Sequence, residues 1–301
     1  VTAPPPKQGG PIAALEGNWN SFTGTPIGAH YFVTAGHVGG EAGGTFHLGG
    51  VDYTTTAYYD DPGSDLRIYR TDATFSTYAT LYRKGTEKGK AFSIFGRGAD
   101  RGGVLWMNGK RKGFHVNDRT DEDLSWGTNV VTKVAKGVPP VGDMLLFTFD
   151  PTNQKPFEAA LTEGDAGGGL FIKDGKTWKL AGINYGGDDA FSTASDKSDA
   201  FGAALWDKGG YYDANGTFVK DVRKNLPGTY SATRVSSNLT WIDAVLAGQV
   251  QPTALPPVTP GPFVPPGGGG TPVPEPTATA AVMGSIALLG TRRRRTQASG
   301  K

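Results

Sequence analysis

Gly164-Asp165-Ala166-Gly167-Gly168-Gly169-Leu170-Phe171 is a glycine-dense turn that runs into an apolar strand. Glycines in that number let a backbone bend until several amide hydrogens converge on one point, where an oxyanion can be held. Main-chain donors of that kind do not depend on the side chain at 166. That side chain is a methyl group, so position 166 supplies no hydroxyl. Taken alone, Gly167 to Gly169 would be an ordinary turn. Its meaning comes from two stretches upstream.

Phe32-Val33-Thr34-Ala35-Gly36-His37-Val38 is an apolar strand that ends in a small-residue turn presenting a histidine. A lone histidine after a strand is more often structural than chemical. Ser64-Asp65-Leu66-Arg67-Ile68 then places an acid just before an alternating strand, 28 residues beyond His37. Beside Asp60, Asp61 and Pro62 that acid could equally be a solvated turn residue.

In the order histidine, aspartate, glycine turn, the three stretches resemble the trypsin-like serine proteases. That family has a Thr-Ala-Gly-His turn after a buried strand, an aspartate leading a strand, and a Gly-Asp-Ser-Gly-Gly loop. Here Ala166 stands where the serine is expected. The resemblance spans about Gly17 to Leu246, since Leu180 to Gly186 is similar to the family's pocket-lining strand. Thr233-Arg234-Val235-Ser236, followed by Leu239-Thr240-Trp241-Ile242, is similar to its lead-in and terminal helix.

The resemblance implies His37 as general base, Asp65 as the carboxylate that orients it, Ala166 at the nucleophile position, and Gly164 and Ala166 as oxyanion donors. Asn184, Tyr185 and Gly186 would bind substrate backbone by strand pairing. Ala160, six residues before position 166, would form a neutral pocket base, which favours an apolar substrate side chain over Lys or Arg. The acids at 188, 189, 196 and 199 would form a solvated rim. No Ile-Val-Gly-Gly start is present to pair with Asp165, and Pro11-Ile12-Ala13 is a weak substitute, so zymogen activation is not expected. No metal or cofactor is implied.

The rest of the sequence agrees with an all-β chain. Short alternating or apolar runs recur at 30–34, 44–48, 52–59, 66–70, 90–95, 103–107, 144–149, 169–173, 179–184 and 200–205, broken by Gly, Asp and Asn. Strands of this length and spacing predict a sandwich or a pair of barrels, and the resemblance specifies two packed antiparallel six-stranded β-barrels with a C-terminal α-helix. One helix is predicted, with Leu239, Ile242, Val245 and Leu246 on one face, Ser237 and Asn238 as caps and Gly248 as the stop.

Charge and composition narrow the partners. The net charge is +2, and setting aside the residues beyond about 270 leaves 25 basic against 27 acidic side chains. That balance disfavours nucleic acid as a partner. The absence of cysteine removes disulfides and thiolate metal sites. Val1 at the start suits a mature form whose signal peptide has been removed, and residues 1–11, rich in Pro and Gly, are expected to form a flexible leader.

Residues 12–248 are expected to make up the protease-like domain, and 249–272 a Pro/Gly-rich linker. Then follow Val273-Pro274-Glu275-Pro276, an apolar run over 278–290, and Arg292 to Arg295. In that order the three parts of 273–295 resemble the PEP-CTERM sorting signal of Gram-negative bacteria, with 296–301 as a tail. This implies export to the cell surface or beyond, transient inner-membrane contact through 278–290, and processing by an exosortase-type enzyme. The apolar run is short for a stable span, and the arginines would keep that end cytoplasmic.

Two functional expectations follow. The first is an exported serine endopeptidase acting on protein or peptide substrates, here in a nucleophile-to-alanine inactive form. Alanine deletes a hydroxyl and little else, which favours an engineered form made so that the protein stays intact. The alternative is a natural pseudoprotease that binds peptides or proteins at the cell surface. A purely structural surface protein would not require the turn at 164–168 or the one at His37.

Overall fold

The computed structural model describes residues 10–117, 122–151 and 157–256. The expected leader is therefore described only from Gly10, where the single turn α1 (Gly10–Ala13) begins. The expected sorting segment, the tail and most of the linker lie outside the described residues.

Six strands close a first barrel in the order β1-β2-β3-β6-β5-β4. They are β1 (Gly17–Trp19), β2 (Phe22–Gly28), β3 (Tyr31–Ala35), β4 (Thr45–Leu48), β5 (Val51–Asp60) and β6 (Leu66–Thr71). β5 shows why the sequence folds this way: Tyr53, Thr55, Ala57 and Tyr59 alternate inward, in the two-residue period of a half-buried strand. Aromatic rings fill the barrel, with Phe32 stacked on Phe46 at 4.0 Å and Trp19 against Tyr69 at 4.3 Å between centroids. Each such buried ring contributes about 1.5–3 kcal/mol by area.

A second sheet of seven strands runs β10-β7-β13-β14-β17-β12-β11. Its members are β7 (Ala91–Gly96), β10 (Ser125–Val130), β11 (Lys133–Ala135), β12 (Met144–Thr148), β13 (Gly169–Asp174), β14 (Thr177–Gly187) and β17 (Thr229–Arg234). It curls into a half-barrel around Phe92, Phe147, Phe149, Leu170 and Tyr230. A closed barrel packed with a half-barrel is the chymotrypsin-like two-barrel architecture.

A third sheet was not foreseen. β8 (Arg101–Met107) and β9 (Lys110–Val116) form a hairpin that pairs through β9 with β16 (Phe201–Leu205), which in turn pairs with β15 (Ala190–Phe191).

All ten predicted strands exist, with no end shifted by more than three residues. Of the seven others, β1, β11 and β15 are only two or three residues long, and the rest are Gly- and Thr-rich (β2), basic (β9) or polar (β10, β17), so they lack an apolar period. The predicted helix is α2 (Leu239–Leu246), which buries Ile242 and Val245 in the first barrel's core. Its caps differ from expectation: Asn238 Nδ2 and Ser237 Oγ both donate back to the Arg234 carbonyl and not to the helix amides. Gly248, at φ +69°, provides the stop. Beyond it, Thr253 and Ala254 lie against β5, where Tyr58 N donates to Ala254 O at 3.1 Å and Thr253 N to Tyr58 O at 2.8 Å.

Candidate functional site

His37 and Asp65 meet because of strand register. Ala35, the last residue of β3, pairs with Leu66, the first of β6, so the chain segments just past those ends must be neighbours. Gly36 N donates to Asp65 O at 2.8 Å, and His37 N donates to Asp65 Oδ1 at 3.0 Å. The other carboxylate oxygen, Oδ2, lies 2.6 Å from His37 Nδ1. A Cβ on Gly36 would come within 3.2 Å of Asp65 Oδ1, so glycine allows this close approach. The histidine is half-exposed, the aspartate mostly covered, and the edge of the Tyr185 ring packs against the imidazole at 5.2 Å.

Arg67, the second residue of β6, grips both oxygens of Asp60, lies over the Tyr58 ring at 4.1 Å and donates to Gly40 O, close behind the histidine turn.

A second His–Asp contact, His47 Nδ1 to Asp52 Oδ1 at 2.5 Å, lies exposed across β4 and β5. A short distance alone therefore does not define a site. What distinguishes His37 is the turn it faces.

Within that turn the amide hydrogens divide cleanly. Asp165 N donates to Thr162 O, Gly167 N to Asn184 O, Gly168 N to Asp165 O, and Gly169 N to Glu16 Oε2. The amides of Gly164 and Ala166 donate to no described residue. Gly164 at φ +96° and Gly167 at φ +80° supply the left-handed backbone that the bend requires. His37, Gly164, Ala166, Tyr185 and Gly186 line one cavity of about 350 Å³.

The turn is held by buried polar side chains. Asn184, wholly buried, donates through Nδ2 to Phe95 O at 2.6 Å and to Asp165 O at 3.0 Å. Asp165, also wholly buried, accepts from Gly98 N at 2.9 Å, Thr162 N at 2.7 Å and Thr162 Oγ1 at 3.1 Å. Both carboxylate oxygens of Asp165 thus accept from loop donors. Below lies Glu16, which accepts from Gly169 N at 3.1 Å and Thr25 Oγ1 at 2.9 Å. Burial pushes its carboxyl up to about 7, against the smaller opposing effects of those two donors and of Arg97.

Two expected substrate contacts fall elsewhere. Ala160 is buried in the half-barrel core, facing Phe149 and its neighbours, and is not in the wall of the cavity beside His37. Asn184 spends its amide on the turn and contributes no lining atom. Thr162, Glu163 and Asp189 do line the cavity, and they are shared with an adjoining cavity of about 340 Å³ that reaches the third sheet. Of the acids read as a solvated rim, Asp188 pairs with Lys208 and Asp199 holds Ser192 and Thr193. Asp189 is the exception, its carboxyl pushed up by burial and by nearby Glu163, Asp188 and Asp165. Local sequence could not separate Asp188 from Asp189, which lie between β14 and β15 where no strand period applies.

No protein-family model matches the chain, and no curated protein matches it. Solved structures do. A mutant of human heparin binding protein (CAP37) is similar at 15% identity and a TM-score of 0.49, covering 87% of this chain and 100% of its own. Neuropsin, a serine protease of mouse brain, is similar at 16% identity and 0.47, covering 77% and 94%. The passenger domain of the plasmid-encoded toxin of enteroaggregative Escherichia coli is similar at 16% and 0.42, covering 73% and 21%.

Proposed function

We propose that this chain is the framework of an exported, trypsin-like serine endopeptidase whose nucleophile position holds alanine. The observation that carries this reading is the division of amides in the turn: the two that donate to no described residue, Gly164 and Ala166, share a cavity with a histidine whose far nitrogen is held by a carboxylate.

The chemistry follows from those groups. A serine hydroxyl at 166 would be a weak nucleophile until a base took its proton. His37 is the base, and Asp65 fixes the tautomer by accepting from Nδ1, so that Nε2 is the acceptor. As a peptide carbonyl is attacked its oxygen gains charge, and the amides of Gly164 and Ala166 receive it. His37 then returns the proton to the departing amine. With alanine at 166 no acyl-enzyme forms, and loss of such a serine costs about 10⁶ in turnover. What remains is a cleft that binds peptide. Asp189 and Glu163 make its wall negative, so side chains bearing a cation are favoured there over the apolar ones expected from Ala160.

The test restores the hydroxyl. Ala166→Ser should gain covalent labelling by a fluorophosphonate probe and cleavage of casein, and a folded variant that does neither would sink the endopeptidase reading. An engineered replacement accounts for an intact base, acid and donor pair around a missing hydroxyl. The alternative, a natural peptide-binding pseudoprotease, is favoured by Ala166 itself, and the codon of the native gene at 166 decides between them. Export, contact of 278–290 with the inner membrane and exosortase-type processing are part of the same proposal and rest on the tripartite pattern at 273–295.

A further inference from the structure

The third sheet takes no part in the chemistry above, and its outer end has an unusual charge distribution. Residues 101–117 and 206–228 carry eight Lys and Arg against three Asp, in a chain whose net charge is only +2. At its centre is a buried hub. Lys112, fully covered, donates to Asp207 at 2.6 Å and to Asp221 at 3.1 Å. Asp207 also accepts from Gly209 N and Leu226 N.

The hub therefore fastens both ends of the arc 221–226 beside the hairpin residue Lys112. A buried lysine with two carboxylates is a costly way to stabilise a loop, but it fixes where that loop's side chains lie. Those side chains, with the hairpin's, are exposed cations: Lys110, Arg111, Lys220, Arg223 and Lys224. None of the five meets a carboxylate among the described residues. Interleaved with them are exposed apolar groups. Trp106 is 61% exposed and pairs across the hairpin with Arg111, Phe218 is 52% exposed, and Val222 is 40% exposed.

We propose that this end of the third sheet docks on an anionic phospholipid bilayer. Unpaired Lys and Arg side chains match a negative membrane surface. A soluble polyanion would satisfy the cations alone, whereas exposed Trp, Phe and Val among them suit the headgroup boundary, where an aromatic ring can be apolar on one side and wet on the other. The contact is peripheral, because among the described residues no helix is long and apolar enough to cross a membrane. It does not depend on the proposed catalytic function.

The test is co-sedimentation of the full chain with vesicles of phosphatidylglycerol and phosphatidylcholine in equal parts, and with phosphatidylcholine alone. Binding is expected to the first only, weakened by about 0.5 M salt. At about fivefold per cation near the surface, the quadruple variant Lys110→Gln, Arg111→Gln, Arg223→Gln, Lys224→Gln should lose about six-hundredfold in affinity with an unchanged thermal midpoint. Trp106→Ala should lose severalfold. Because the C-terminal arginines could bind vesicles themselves, the series is repeated with Arg292, Arg293, Arg294 and Arg295 changed to Gln, and the loss must persist. Vesicle binding that the quadruple variant leaves intact overturns the proposal. So does retention on immobilised dextran sulfate with no binding to vesicles.

Discussion

The two halves of the candidate site are built by different means. In the closed barrel, His37 and Asp65 sit at adjoining ends of neighbouring strands, and the β3–β6 register alone brings them together. In the half-barrel, the turn at 164–169 is shaped by side chains from far away in sequence: Glu16, Asn184 and the Gly98 amide that Asp165 engages. One half is placed by pairing and the other by buried polar bonds. Damage to the first should therefore be mainly chemical, and damage to the second mainly structural.

The largest expected effect tests the first half. In an Ala166→Ser background, Asp65→Asn should leave the fold intact and lower turnover about 10⁴-fold, because the wrong histidine tautomer is then held. The check is initial rates on a peptide substrate alongside the thermal midpoint. A large drop in the midpoint would mean that the carboxylate, through its bond to His37 N, also holds the turn together, and the division between the halves would fail.

On the other side, Asn184→Ala removes the donor shared by Phe95 O and Asp165 O. Phe95 O loses that donor at about 1–3 kcal/mol, while Asp165 O keeps the Gly168 amide, so denaturant unfolding should show a loss of about 2–3 kcal/mol. Gly168→Ala should be at least as severe, because a Cβ there would overlap the Phe95 carbonyl. A mild effect from either would show that the turn can be held by less.

Glu16 gives a pH-dependent version of the same test. Its carboxyl is raised to about 7 in the fold, above the ordinary value near 4.3 in an unfolded chain. Between those limits the native state holds the extra proton, so stability falls as pH rises through the window. The full cost of the buried charge, about 3 kcal/mol, is reached above pH 7. Glu16→Gln keeps the shape without the charge. Its unfolding free energy should match the parent near pH 4 and exceed it by up to about 3 kcal/mol at pH 8. If the two curves run parallel, the carboxyl is not protonated in the fold.

The same contrast explains what could be read from the sequence. His37, Asp65 and the turn at 166 are each a few contiguous residues, and their order along the chain carries the pattern. Predicted strands announce themselves by alternation, as at 52–59, or by a short run buried throughout, as at 180–184. Glu16 gives no such signal, since nothing near it in sequence shows that Gly169 is its partner. Ala160 is reached by counting six residues back, which assumes a loop path, and here that path buries it among Phe149 and Leu161. The third sheet was missed because β9, at 110–116, opens Lys-Arg-Lys, a run that looks solvated until Lys112 is seen to be buried on Asp207.

The smallest expected effect marks the boundary of the argument. Arg83, on the segment between the two halves, grips Asp243 of α2 with two bonds of 2.6 and 2.8 Å. By geometry alone it outranks the single bond from Gly169 to Glu16. Both side chains are about half-exposed, so water and salt already screen each charge, and ordering two long side chains offsets much of the attraction. A double-mutant cycle with Arg83→Ala and Asp243→Ala should return about 0.5 kcal/mol, vanishing at high salt. A coupling near that of Glu16 would show that exposed pairs hold the halves together as firmly as buried ones. The expected small value would mean instead that the site depends on the groups water cannot reach.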